Sequence, residues 1–396
     1  MDDRLAPPDS RAPLDALRPL HDAMISWRHH IHRHPELAFQ EHETAAFVAE
    51  RAAEAGLEVA TGIGGTGVVA TLTRGSSDRV IGLRAELDAL PLAEVAGRPH
   101  GSRREGLMHG CGHDGHCAML LGTAHHLATN PDFDGTVRFI FQPAEENEAG
   151  GRAMLEDGLL ERFPMDALYA LHTEPGLPLG TFAIRSGPVM AALDLLEIVV
   201  EGEACHAARP HTGADAIVAS AAIVSALQTV VSRDLDPLQP AVVSVTGIDG
   251  GRGWNILPPK VEMRGTVRAF DDGVRDRIEA GLRTRIEAIA AAHGCRGRLD
   301  YRRHYPVTIN AAAATERAAA AAESVVGTAG VKGDHPRLMA AEDFGFLLER
   351  RPGCYAFLGN GDSAPVHSSG YDFDDRALLY GAAYWVQLVS RVLGRA

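Results

Sequence analysis

Ten consecutive residues constrain this chain more than any other stretch. Met108-His-Gly-Cys-Gly-His-Asp-Gly-His-Cys117 holds three histidines, two cysteines and three glycines. Thiolate and imidazole are soft to borderline donors suited to zinc and related divalent ions. Cys111 and His113 stand two apart, and the adjacent glycines permit a turn in which both side chains converge on one point. The competing reading is a histidine-rich surface turn that leads into a helix. Cys117 falls inside the helix expected over 115–129 and reads as a core thiol.

Thiol usage bears on where such chemistry runs. Five cysteines, Cys111, Cys117, Cys205, Cys295 and Cys354, form no disulfide framework and suit a reducing, cytoplasmic setting. The 396 residues fit two to three domains, and 45% hydrophobic with 23% charged residues excludes global disorder and a fibrous fold. A net charge of −14 argues against nucleic acid or an anionic membrane as partner. No run of about 18 uninterrupted apolar residues occurs, so no membrane span is expected. Met1-Asp-Asp-Arg4 lacks the basic-then-apolar opening of a signal peptide.

Residues up to Pro13 read as a loose tail. Helices are expected over 16–34, closed by Pro35, and over 41–55, ended by Gly56. β-like runs at 57–60, 67–73, 79–84 and 136–141 alternate with helices at 115–129 and 150–156, which is the pattern of an at least partly parallel sheet. The pattern changes near Gly187. Strands over 193–200, 241–247, 261–270 and 296–302, with helices over 215–231 and 272–292, make an α+β layer of their own. The α/β pattern returns near Pro306 and closes with a helix over 375–393. The fold class expected is α/β: a mixed-sheet domain in two segments, 14–187 and 304–396, interrupted by an inserted α+β domain at 188–303.

Gly62-Ile-Gly-Gly-Thr-Gly67 matches the dinucleotide pattern G-x-G-x-x-G. That mechanism needs a helix after the glycines, whereas the β-branched Val68–Thr73 follows, so a β-turn is expected. Further along, the strand-like Thr136–Phe141 delivers the adjacent carboxylates Glu145 and Glu146 into a loop. Adjacent side chains point different ways, so one can bind a metal while the other faces a water, as metal-assisted hydrolysis requires. His172 and His367 each follow a strand-like run. Four strand or loop ends with metal-type donors, all in the α/β part, fit the rule that carboxyl ends of parallel strands line the ligand crevice.

RAELDALP (Arg84–Pro91), MHGCGHDGH (Met108–His116), FQPAEE (Phe141–Glu146), ALH (Ala170–His172), HAARPH (His206–His211), NILP (Asn255–Pro258), GTVR (Gly265–Arg268) and APVHSSGYDF (Ala364–Phe373) occur in this order. Together they closely resemble the di-metal aminoacylase and carboxypeptidase family, in its branch of hippurate, auxin-conjugate and N-acyl-amino-acid amidohydrolases. The resemblance runs from Trp27 to the end of the chain.

It implies a ferredoxin-like form for the inserted domain, acting as lid and dimerisation domain, and two divalent metal ions per chain (Zn²⁺ or Mn²⁺, with Co²⁺ or Ni²⁺ also compatible). Cys111 would bridge them, Glu146 and His367 would complete one site, and His113 and His172 the other. Glu145 would be the general base and later the acid, with Asp88 orienting the metal-binding side chains. His206 would reach the partner subunit's active site, and Asn255 and Arg268 would contact the substrate carboxylate. The activity implied is hydrolysis of small N-acyl amino acids to a carboxylic acid and a free amino acid by a homodimer. The alternative is a metallo-dipeptidase or carboxypeptidase of the same family. Three departures stand out. Glu86 replaces a frequent Asp and is left out of the ligand set, Ala204-Cys205-His206 replaces Gly-Gly-His, and Gly110 stands where Ala is common. His29, His30, His32 and His34 read as surface and packing.

Overall fold

The computed structural model describes residues 11–395, and the chain divides into two compact units. The first runs to Val189 and takes in Ile309–Pro336 and the chain from Asp343 onward; the second comprises Met190–Thr308 and Arg337–Glu342.

The first unit is built on an eight-stranded mixed sheet. Its strand order is Glu58–Ile63, Gly67–Arg74, Gly135–Gln142, Val80–Glu86, Ala167–Glu174, Gly353–Gly359, Phe182–Ala183 and Val331–Lys332. The four middle strands are mutually parallel, with Arg84 opposite Ile140 and Ala170, and Phe357 opposite His172. Their carboxyl ends therefore share one edge. Buried on both faces, these strands read as apolar runs such as Gly353–Gly359, in which every residue is buried. The helix His113–Thr129 is buried along most of its length and packs with Ala377–Leu393 over the sheet.

The hairpin Glu58–Ile63/Gly67–Arg74 is antiparallel, and the glycine run forms its turn, as the β-branched continuation implied. Gly64 is left-handed (φ 62°), and a Cβ there would lie 2.6 Å from the Met154 backbone nitrogen. The helix expected over 16–34 is interrupted. Pro19 lacks an N–H, and Arg18–Leu20 tightens into a 3₁₀ turn between Arg11–Leu17 and His21–Arg33. Pro13, expected in the tail, lies inside the first of these helices; Pro7, Pro8 and Ser10 lie outside the described residues.

The second unit is a four-stranded antiparallel sheet of order Ala241–Asp249, Lys260–Ala269, Ala192–Glu201 and Arg296–Tyr305. With helices Ala216–Thr229 and Asp272–Ala292 between strands, the run is βαββαβ, the ferredoxin-like arrangement. Lys260–Ala269 alternates exposed with buried residues over its first half, so one sheet face carries the helices. Asp215 caps the first helix through the Ile217 and Val218 N–H groups, and Asp271 caps the second through Val274. The last strand pairs as far as Tyr305, opposite Leu193, and so outruns the expected end at 302. Ala216–Asp234 is long and apolar enough by composition to cross a membrane, yet Ala219, Ile223 and Leu227 are buried in the core of this unit.

Inside the second unit, the Arg275 guanidinium and the Tyr301 hydroxyl (2.5 Å) both donate to Asp194, which is fully buried. A cationic donor and a neutral one together offset the cost of removing that carboxylate from water.

Candidate metal centre

The shared sheet edge gathers the donors. Val80–Glu86 leads into Asp88, Gly135–Gln142 into Glu145 and Glu146, Ala167–Glu174 carries His172, and Gly353–Gly359 leads toward His367. Between Cys111 and His113 sits Gly112, left-handed at φ 90°. A Cβ there would meet the Tyr371 hydroxyl at 2.5 Å and Thr173 Oγ1 at 2.7 Å, so glycine alone turns the chain this closely against the strand end.

Two triads share one sulfur. The donor atoms of Cys111, His113 and His172 all lie within 4.8 Å of one another, and so do those of Cys111, Glu146 and His367. The Cys111 sulfur is 3.4 Å from His172 Nε2, and His367 Nε2 is 3.0 Å from a Glu146 oxygen. His113, Glu145 and Glu146 form a further group of the same tightness. Thus all five residues expected as ligands, and the expected base, come together in the first unit.

The ring orientations suit ligation. His113 Nδ1 donates to the Asp88 backbone oxygen at 2.8 Å and faces its carboxylate at 3.3 Å. Its Nε2 is buried without a protein partner. His172 Nδ1 donates to the Thr173 oxygen at 2.8 Å, which turns Nε2 toward Cys111. Histidine ligands are held in this way, with the far nitrogen tied to an oxygen.

The electrostatics ask for a cation. Burial, then the carboxylates of Glu146, Glu145 and Glu86, push the Cys111 thiol well above its usual range. His172 is pushed far below its usual value by burial and by His116. His113 rises to about 10 despite burial, because Asp88 and Glu86 face it. A thiol, the neutral His172 ring, the His113 ring held between carboxylates and the Glu146 carboxylate crowded together in this way fit a divalent ion, whose charge favours the thiolate and displaces the His113 proton from Nε2.

Strain is concentrated at the same edge. Among the described residues, the non-glycine left-handed positions are Phe39, Ala144, Asn147, Ala149 and His367. Three flank the two glutamates, and the fourth at this edge is a candidate ligand. Left-handed backbone persists in such residues only where the surroundings over-determine it. At Ala144 a buried carboxylate helps to do so, as Glu41 accepts its N–H at 2.8 Å, and Asp88 fixes the next part of the loop by accepting the Glu146 N–H at 2.8 Å. Glu145, between them, is 7% exposed.

Several buried side chains that support the site lay outside the expected ligand set. Glu86 is fully buried, paired with Arg84 and 2.8 Å from His116 Nδ1. Thr173 N–H donates to His116 Nε2 at 3.0 Å, so Nδ1 holds the proton that is donated to Glu86. Arg84 also donates to Gln142 and to Asp343, both at 2.9 Å. The available signal was Arg84 itself, a charge set in an apolar strand. His32 is corrected from surface and packing to a buried bridge. Its Nδ1 lies 2.8 Å from Asp114, which also binds Arg28, and its Nε2 lies 3.0 Å from Glu94. His109 joins neither triad; burial drives it down to about 3, so it is a neutral ring.

The other three candidates belong to the second unit. His206 is exposed on the short strand Cys205–His206, which pairs with Ile256–Leu257. The Ala207 N–H donates to the Asn255 oxygen at 3.0 Å, so His206 and Asn255 stand together. His206 Nδ1 accepts the Ala208 N–H at 3.1 Å, which leaves the proton on the outward Nε2. Arg268 lies apart from them on the four-stranded sheet, half-buried.

The family profile described as peptidase family M20/M25/M40 matches residues 82–391. A hippurate hydrolase of Campylobacter jejuni is 40% identical over 92% of this chain and 95% of its own length. An N-acetyl-L-cysteine deacetylase of Bacillus subtilis is 37% identical over 95% of this chain and 90% of its own. Among solved structures, a dinuclear metal-binding peptidase from Bacillus subtilis superposes with a TM-score of 0.82 at 35% identity, covering 95% of this chain and 99% of that one.

Proposed function

The chain belongs to peptidase family M20/M25/M40, and from that premise we propose that it hydrolyses the amide bond of N-acyl amino acids to a carboxylic acid and a free amino acid. The observation that carries this reading is the single sulfur of Cys111 common to two donor triads, with Glu145 beside them. The relatives' names, a hippurate hydrolase and an N-acetyl-L-cysteine deacetylase, supply the substrate class.

Glu146 and His367 with Cys111 would hold one divalent ion, and His113 and His172 with Cys111 the other. Zn²⁺ or Mn²⁺ suits the mixed sulfur, nitrogen and oxygen donors. Bound there, the ions would supply Lewis acidity to the scissile carbonyl and make a water more acidic. Glu145 takes the proton from the attacking water on its carboxylate and returns it to the leaving amine nitrogen. Asp88 serves by positioning: it orients His113 and tethers the Glu146 backbone. Asn255 and Arg268 contact the substrate carboxylate. The sparse thiols favour a reducing, cytoplasmic setting.

Metal-replete protein is expected to carry two divalent ions per chain by elemental analysis, and a chelator is expected to abolish turnover of N-acetyl and N-benzoyl amino acids. No bound metal after reconstitution with Zn²⁺ or Mn²⁺ would sink the reading. Turnover of free dipeptides in place of N-acyl amino acids would favour the dipeptidase alternative.

The working form is a homodimer in which His206 completes the partner's site and steadies the oxyanion. Support comes from its exposure and its outward Nε2 proton. His206→Ala is expected to lower kcat by about 10²–10³-fold, the usual loss for one oxyanion donor. Mixing His206→Ala with Glu145→Gln subunits, each inactive alone, restores one site per heterodimer on this scheme. Verified heterodimers that stay inactive would overturn it.

A further inference from the structure

An open pocket of about 460 Å³ lies against Glu146 in the first unit. That size falls within the range of ordinary small-molecule sites, roughly 300–1,000 Å³. Leu37, Ala38, Phe39, Ala89, Leu90 and Pro91 give it an apolar wall, and Gln40 and Asn147 add uncharged polar groups. The charged residues on its wall are Glu146 and Glu148, and no lysine, arginine or histidine lines it. Glu146 is engaged by an ion in the metal reading, so a carboxylate entering the rest of this space meets Glu148 and no basic side chain, whereas an uncharged apolar group loses little.

The walls are tied at both ends to the elements that carry the site. At one end the Glu36 backbone oxygen accepts the N–H of Ala89, the neighbour of Asp88, at 2.8 Å. The Glu36 carboxylate accepts the Glu43 and Thr44 N–H groups at 3.1 and 2.8 Å, and the Thr44 hydroxyl at 2.9 Å. At the other end Glu41, fully buried, takes the N–H of Ala144, the neighbour of Glu145, and the Thr66 hydroxyl at 2.5 Å. Between them the Gln40 N–H closes a turn on the Leu37 oxygen at 2.9 Å. Phe39, left-handed at φ 59°, lays its ring against Gly65, where a Cβ would come within 3.2 Å of it. The pocket is thus preformed, and it shares Glu146 with the metal-ligand triad.

We propose that this pocket is the subsite for the acyl group, and that it selects apolar acyl chains of aromatic or medium aliphatic size over acetyl. The assignment rests on the N-acyl amino acid reading above. The carbonyl must lie near Glu146 to react, and the acyl chain and the carboxylate-bearing amino-acid half both branch from it; an apolar wall without a basic side chain suits the acyl chain. The substrate's own carboxylate finds no basic side chain in this pocket and meets Glu148 there.

The test uses the full-length, metal-replete enzyme with N-acetylglycine, N-benzoylglycine, N-octanoylglycine and the free dipeptide Ala-Gly. Wild type is compared with Ala38→Trp, which fills the pocket, and with Ala38→Leu, which fills it less and is easier to fold. Wild type is expected to favour benzoyl over acetyl by at least tenfold in kcat/KM. That ratio should fall tenfold or more in Ala38→Trp, with Ala38→Leu in between and octanoyl losing most. An unchanged ratio in folded Ala38 variants, with N-acyl amino acids still turned over, overturns the subsite and leaves the amidohydrolase reading standing. Turnover of Ala-Gly with no N-acylglycine hydrolysed overturns that reading, and the subsite with it.

Discussion

Glu145→Gln is expected to keep its fold and its metal content while kcat falls by about 10²–10⁴-fold. The amide is nearly isosteric with the carboxylate, so the packing around this 7%-exposed side chain is preserved. What it loses is the capacity to accept a proton. Because one group is proposed to serve both half-steps, first as base and then as acid, the loss should lie at the upper end of that range. The neighbouring Glu146→Gln is the control. It should lose bound metal by elemental analysis, since Glu146 shares a triad with Cys111 and His367. If Glu145→Gln retained near wild-type kcat, another group would be the base. If both variants lost metal equally, the division of labour between the two glutamates would be wrong.

The second large effect is structural. Arg84 is about 1% exposed and joins Glu86, Gln142 and Asp343 beneath the site. Arg84→Met fills much the same volume but leaves two buried carboxylates without their cation. Breaking a buried pair in this way costs about 3–5 kcal/mol, which should appear as a lowered denaturant midpoint with little change in slope. Arg84→Lys restores the charge but not the fork that spans three acceptors, so it should recover only part of the loss. A destabilisation below about 1 kcal/mol for Arg84→Met would show that water or a relaxed Asp343 replaces the guanidinium.

The donors themselves were legible because they belong to rare, chemically distinctive residue types set at the ends of apolar runs. Cys111 and His113 stood out in a cysteine–histidine cluster between glycines, and Glu145, Glu146, His172 and His367 followed strand-like runs; which of the two glutamates would bind metal came from the family resemblance, not from position. The alternation of strands and helices located the inserted unit. The supports were not legible, for a common physical reason: they act through backbone groups or across long sequence separations. Glu41 looks like an ordinary exposed glutamate at the head of a helix. Its role is visible only once the Ala144 N–H, 103 residues on, is beside it. Arg84 and Asp343 are 259 positions apart and meet only after the sheet has formed. His32 sits at helical spacing among other histidines, and nothing in that spacing separates the one that turns inward toward Asp114 from those that remain at the surface.

The parallel pairing of Gly353–Gly359 with Ala167–Glu174 also has a consequence during synthesis. Leu168 waits for Gly353, about 185 residues further along the chain. At a translation rate of about 5–20 residues per second, the apolar strand bearing His172 stands with one open edge for about ten to forty seconds while the ribosome makes the inserted unit. An unpaired, apolar strand edge is a template for association with other chains. The nascent protein is therefore most vulnerable to aggregation while its inserted unit is emerging, and the centre cannot take up its full complement of ligands until His367 has left the exit tunnel.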